Sequence, residues 1–126
     1  MVLLSVKSVM LIHEMVINEN ELQGFAGDKS LDAIIGRVDS RIYYGIIKDI
    51  YDLAATYAVV ISQGHVFNDA NKRTAFKAMS VCLELNGINI DFETIAIGEM
   101  IVKVAQGIAD ESELSNYLHR IHGFQS

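Results

Sequence analysis

GHVFNDANKRTAF, residues 64–76, decides how the rest of the chain is read. Nine of these residues, His65 to Arg73, bring together an imidazole, a carboxylate, carboxamides, an ammonium and a guanidinium. The segments on either side are long, apolar and periodic at three and four residues, which is helical spacing. Upstream, Tyr43, Ile46, Ile47, Ile50, Ala54, Tyr57, Ala58 and Ile61 form one stripe, widened by Leu53 and Val60. This predicts a central, most buried helix from Ser40 to Gln63, with Gly64 in the left-handed position that ends it. Downstream, Ala75, Phe76, Met79, Cys82 and Leu83 predict a helix from Asn71 to Asn86, stopped at Gly87.

Working outward, Ser5 can cap a first helix carrying Val9, Ile12, His13 and Val16. His13 falls on that apolar stripe and reads as a core-edge histidine bonded to backbone. Asn18 to Ser30 is rich in turn residues and reads as the longest loop. Ser30 then caps a short helix, Leu31 to Val38, burying Ala33, Ile34 and Val38, with Arg37 facing outward or toward a site. Ile88 to Phe92 reads as an extended connector. Two further helices are predicted: Glu93 to Gln106, and Glu111 to His122, the latter opened by an Asp110/Glu113 capping box and ended by Gly123. The expectation is an all-α fold, a single-domain bundle of about six helices over residues 1–126. Proline, which would interrupt helices, is absent.

Composition bounds the function. The chain has 126 residues, 51% of them hydrophobic, enough for one core. Formal net charge is −6, with only ten Lys and Arg, scattered along the chain, which argues against direct nucleic-acid binding. No apolar run reaches the ~18 residues of a membrane span. The opening Met1–Lys7 lacks the order of a signal peptide, and Cys82 is the single cysteine. A cytoplasmic location is expected.

The motif loop has a chemical reading. The N-terminus of the helix from Asn71 offers unpaired N–H groups and a favourable dipole to an anion. Asn71, Lys72 and Arg73 stand in its first turn, and an arginine fork suits phosphate oxygens. Asp69 is a hard oxygen donor suited to Mg²⁺ alongside substrate phosphates. His65 can take a proton near neutral pH. Together they describe phosphoryl or nucleotidyl transfer to a hydroxyl. Val66 and Phe67 would anchor the loop in the core. The same residues could also serve structure alone, with Asp69 as N-cap, His65 bonded to a carbonyl, and Lys72 and Arg73 solvated.

His65-x-Phe67-x-Asp69-Ala70-Asn71-Lys72-Arg73 resembles the signature of the Fic/Doc family, His-x-Phe-x-(Asp/Glu)-(Gly/Ala)-Asn-(Gly/Lys)-Arg. Within that family it is most similar to the Doc-type toxins of toxin–antitoxin pairs. Further similar features are Leu4-Ser5 with His13, the run Ala33 to Val38, and Ala55-Thr56-Tyr57. The resemblance implies an all-helical fold, ATP as co-substrate with Mg²⁺, and a protein hydroxyl as acceptor. It implies His65 as catalytic base, Asp69 as metal ligand, and Asn71, Lys72 and Arg73 as the ATP phosphate-binding group, with Phe67 structural. It also implies elongation factor Tu as target, its phosphorylation blocking translation, and a Phd-like antitoxin as inhibitory partner.

Family members that transfer AMP usually carry glycine where Ala70 and Lys72 stand. The departure favours transfer of the γ-phosphate, with AMP transfer as the alternative and a non-catalytic phosphate- or partner-binding module as the second. Many Fic proteins silence themselves with (Ser/Thr)-x-x-x-Glu-(Gly/Asn), whose glutamate pairs with the motif arginine. The one Glu-Asn step here is Glu19-Asn20, preceded at the required place by Met15. Arg73 is therefore expected to lack that inhibitory partner inside the chain, leaving inhibition to the antitoxin.

Overall fold

Helix ends in this chain are set largely by short side chains that accept the first free N–H groups. The computed structural model describes residues 1–125, and six helices make up its architecture. Helix α1 is Val6–Val16, capped by Ser5, and α2 is Leu31–Tyr43, capped by Ser30. Helix α3 is Ile50–Gly64, capped by Asp49. Helices α4, α5 and α6 are Asn71–Leu85, Thr94–Ala105 and Glu111–Gln125. Glu93 caps α5, and the Glu113 N–H donates to Asp110 Oδ1 at 2.9 Å to open α6. The all-α expectation holds. Among the described residues the sole β-type pairing is an isolated antiparallel bridge between Phe25 and Phe67.

Helix α3 is the centre, as its periodicity predicts. Leu53 through Ser62 are all buried, and α3 packs against α2, α4, α5 and α6. Burying a side chain the size of Leu53 stabilises by roughly 1.5–3 kcal/mol. Cys82 is fully buried in α4, and burial pushes its thiol up to about 12.

The predicted long helix from Ser40 to Gln63 is wrong. Helix α2 continues to Tyr43, the chain turns at Gly45 (φ 72°), and α3 starts afresh at Ile50. Tyr43 and Ile46, counted in the buried stripe, are 82% and 63% exposed. Apolar residues happen to keep helical spacing across the break, so periodicity alone could not see it. Local signals were present: Gly45 supplies a left-handed residue, and the Asp52 N–H donates to Asp49 Oδ1 at 2.8 Å. Ala33 is exposed, and Ile35 is buried in its stead. Helix α6 runs through Gly123, one turn beyond its expected end. Gln125 is fixed there: its amide donates to the Asp91 carbonyl at 2.8 Å, while Asp91 N–H donates to Oε1 at 2.9 Å. That pairing also tethers the extended connector before α5.

The N-terminal segment is tied to the core by one hydroxyl. Tyr57 Oη accepts from the Leu4 N–H at 2.8 Å and donates to the Leu4 carbonyl at 3.2 Å. Both residues are buried. Tyr57→Phe leaves a buried N–H and a buried C=O unpaired, and is expected to cost about 1–3 kcal/mol. Urea unfolding followed by circular dichroism measures this. An unchanged midpoint would mean that Leu4 finds water instead.

Candidate active site

The loop between α3 and α4 is held by unusual backbone geometry. Gly64 matters through space and not through its φ: a Cβ there would lie 2.4 Å from Ile34 Cδ1, so the Ile34 side chain would have to shift. The left-handed residue is His65 (φ 49°, ψ 41°), correcting the expectation for Gly64. Ala70 is left-handed too (φ 68°, ψ 25°). Each costs an L-residue roughly 1–2 kcal/mol, so the surrounding contacts must enforce them. The position of Ala70 is one where glycine is conformationally natural. Lys72 lies inside the first turn of α4, where no special φ is needed. Glycine at that site would matter only through the space it leaves.

Those enforcing contacts come from the α1–α2 loop. The Ala26 N–H donates to the Val66 carbonyl at 2.7 Å, and the Asn68 N–H donates to the Gly24 carbonyl at 3.0 Å. Residues 24–26 thus run alongside 66–68. Phe67 is buried, stacked on the His13 ring (centroids 3.7 Å apart, planes 5° off) and against Phe25 at 5.5 Å. His13, itself buried, donates from Nε2 to the Asp69 carbonyl at 2.9 Å. It is a core-edge histidine bonded to backbone, as expected. The backbone in question is the motif loop, so it also positions that loop.

His65 is exposed, and its ring makes no hydrogen bond with any described residue. That disposes of the alternative in which it merely serves a carbonyl. Asp69 is half-buried and is not the N-cap: that position is Ala70, and no side chain caps α4. Asp69 Oδ2 accepts the Leu22 N–H at 2.8 Å, while Oδ1 takes no hydrogen bond from a described residue. The Asn71 carboxamide is turned back onto the loop, accepting from the Phe67 N–H at 3.1 Å and donating to the Phe67 carbonyl at 2.9 Å. Lys72 is exposed and forms no hydrogen bond or ion pair with a described residue. Lys72 and Arg73 border an apolar cleft of about 300 Å³ walled by Phe76, Phe92, Ile97 and Ile101.

Arg73 has an acidic neighbour outside any inhibitory motif. Its Nη1 donates to the Val16 carbonyl at 2.7 Å, and its Nη2 pairs with Glu21. The guanidinium beside Glu21 holds that carboxyl below the usual carboxylate range. Glu21 comes from the loop after α1 and not from a helix carrying the inhibitory motif. Nothing in its neighbours along the chain signals the contact, so sequence reasoning missed it, and missed Leu22 and Phe25 with it.

Among the described residues no three His, Cys, Asp or Glu side chains gather as a metal cluster. His119 and His122, three apart in the chain, are engaged with Asp49 at 2.9 Å and with Tyr51 respectively. One carboxylate with an open oxygen, beside a helix N-terminus that lacks a side-chain cap, does fit Mg²⁺. That ion keeps several waters and is commonly bound by one or two carboxylates plus substrate phosphates. Among the described residues no helix is long and apolar enough to cross a membrane.

A six-helix fold built around a His-x-Phe-x-Asp-Ala-Asn-Lys-Arg loop defines a class, and the chain belongs to the Fic/DOC family, whose profile matches residues 3–83. The chain is 37% identical over 102 residues to the protein kinase doc of Escherichia phage P1. The match covers 81% of this chain and 80% of that relative.

Proposed function

We propose that this chain is a toxin that transfers the γ-phosphate of ATP to a hydroxyl of a protein target, and that an antitoxin of the Phd type restrains it. Elongation factor Tu is the target this reading favours. The observation that carries it is the presence, on one short loop, of an exposed imidazole at His65 with no hydrogen-bond partner among the described residues, a carboxylate oxygen left open at Asp69 and a helix N-terminus without a side-chain cap at Asn71. His65 takes the proton of the acceptor hydroxyl. The hydroxyl oxygen bonds to the γ-phosphorus as the bond to the bridging oxygen breaks, and ADP leaves. Asp69 Oδ1 would hold Mg²⁺, which when bound neutralises charge on the phosphate oxygens. The N–H groups of Asn71 and Lys72 and the guanidinium of Arg73 steady the negative charge that develops. The Asn71 carboxamide serves by fixing Phe67.

Lys72 supports the γ-direction. Its stem occupies space beside the helix N-terminus, and its ammonium favours the most anionic phosphate of the nucleotide. AMP transfer is the second reading, favoured by one observation: Lys72 is exposed and has no partner among the described residues, so its side chain can turn into solvent. Incubation with elongation factor Tu and labelled ATP separates the two. Label from the γ-phosphate is expected on the target, and label from the α-phosphate is not. The reverse pattern identifies an adenylyltransferase.

A further inference from the structure

Helix α2 carries an exposed face that the loop chemistry does not use. Two clefts meet on it. The first, about 370 Å³, is lined by Lys29, Ala33, Arg37, Gly64 and Val66, among others. It reaches the two chain neighbours of His65. The second, about 530 Å³, continues from Ala33 and Arg37 to Arg41, Tyr44 and Ile46. Ala33, Arg37, Arg41 and Tyr44 follow one another at three and four residues, so they share one side of the helix. Asp32 and Asp39 fall well round the helix from that side.

Charge and composition are distinctive here. Arg37 and Lys29 are exposed, and neither side chain forms a hydrogen bond or ion pair with a described residue. Arg41 is held by Glu111 at 2.6 Å, and Asp28 is the one acidic residue lining either cleft. Unpaired cations thus lie together in a chain of net charge −6. At the far end Tyr44 and Ile46 are 75% and 63% exposed, with Tyr43 edge-on to Tyr44 at 5.0 Å. Arginine and tyrosine are the residues in which protein interfaces are enriched.

We infer that this face docks an acidic segment of the protein target and leads its acceptor hydroxyl to His65. The inference rests on the reading of His65 as the base. An acidic peptide fits better than nucleic acid, because two free cations neutralise too few phosphates for useful affinity. The apolar end gives a peptide side chain a seat that a phosphate backbone would not use.

The test uses the full chain carrying His65→Ala, so that binding is read without chemistry. The probe is a fluorescent peptide with one threonine flanked by glutamates, and the control has glutamines in their place. Fluorescence anisotropy should show the glutamate peptide binding more tightly than the control, with affinity falling as salt rises. Combined Arg37→Glu and Lys29→Glu should weaken it on the order of tenfold or more. Arg37→Gln should weaken it less, in the same direction, with the circular dichroism of both variants unchanged.

Several outcomes overturn the inference: no binding of the glutamate peptide, equal binding of both peptides, or unchanged affinity after charge reversal. Self-association of the chain that Tyr44→Glu abolishes would also overturn it, assigning the face to a second copy. Label transfer to elongation factor Tu, measured with His65 present, separates the two readings. If transfer is absent while peptide binding depends on Arg37, the site reading fails and the docking face stands. If transfer proceeds and charge reversal leaves KM for the target unchanged, the docking face fails and the site reading stands.

Discussion

His65→Ala is expected to lower phosphate transfer to the target by ~10²–10⁴-fold, the usual contribution of a positioned general base. The fold should survive the change. The ring is exposed and has no hydrogen-bond partner among the described residues, so no contact of that kind is lost. The left-handed backbone at φ 49° suits alanine somewhat less than histidine, a difference of under about 1 kcal/mol. Thermal unfolding should therefore move by less than about 1 kcal/mol equivalent. The comparison needs both measurements, transfer from labelled ATP and a melting curve. A variant that still arrests growth and translation as strongly as the parent chain would show that the loop binds without catalysing. The second alternative, a phosphate- or partner-holding module, would then take over.

Arg73→Ala is expected to reduce transfer by roughly 10²–10³-fold, as removal of a donor aimed at developing charge does elsewhere. Glu21→Gln should act in the opposite direction. In the structure Glu21 occupies the arginine fork, so on the proposed reading ATP would have to displace a carboxylate to bind there. The pair lies at the surface, where ion pairs are weak, so the gain should be modest: roughly two- to fivefold in KM for ATP. The double variant should be as slow as Arg73→Ala alone, because Glu21 reaches the phosphate site through Arg73, while its other carboxylate oxygen accepts the Asn18 N–H at 2.9 Å within its own loop. A Glu21→Gln chain slower than the parent would recast Glu21 as a positioning residue for the loop.

The pH dependence has a definite sign. Glu21 is held below its ordinary value, chiefly by its hydrogen bond to Arg73. The pair is therefore fully formed above the ordinary glutamate range and is lost as pH falls through the lowered pKa. At neutral pH Glu21 is therefore ionised and available to pair with Arg73.

Much of this protein follows from local sequence. Ser5, Ser30 and Asp110 each bond an N–H three residues ahead, a relation that a short window contains in full. Leu53, Tyr57, Val60 and Ile61 fall at helical spacing within one element, so their burial was legible as a stripe. The His65 to Arg73 loop was legible because its chemistry is packed into nine consecutive residues. The break between α2 and α3 was not, because Tyr43 and Ile46 keep helical spacing while facing water. Only tertiary structure decided how the loop is armed and restrained. His13 meets the Asp69 carbonyl across 56 positions, and Arg73 meets Glu21 across 52. Residues 24–26 settle beside 66–68, and Arg37 comes to the same cleft as Gly64 and Val66. No periodicity or capping rule encodes such pairs. Periodicity selects which side of a helix is buried, but which distant loop meets the exposed end of α4 depends on how all six helices close around α3.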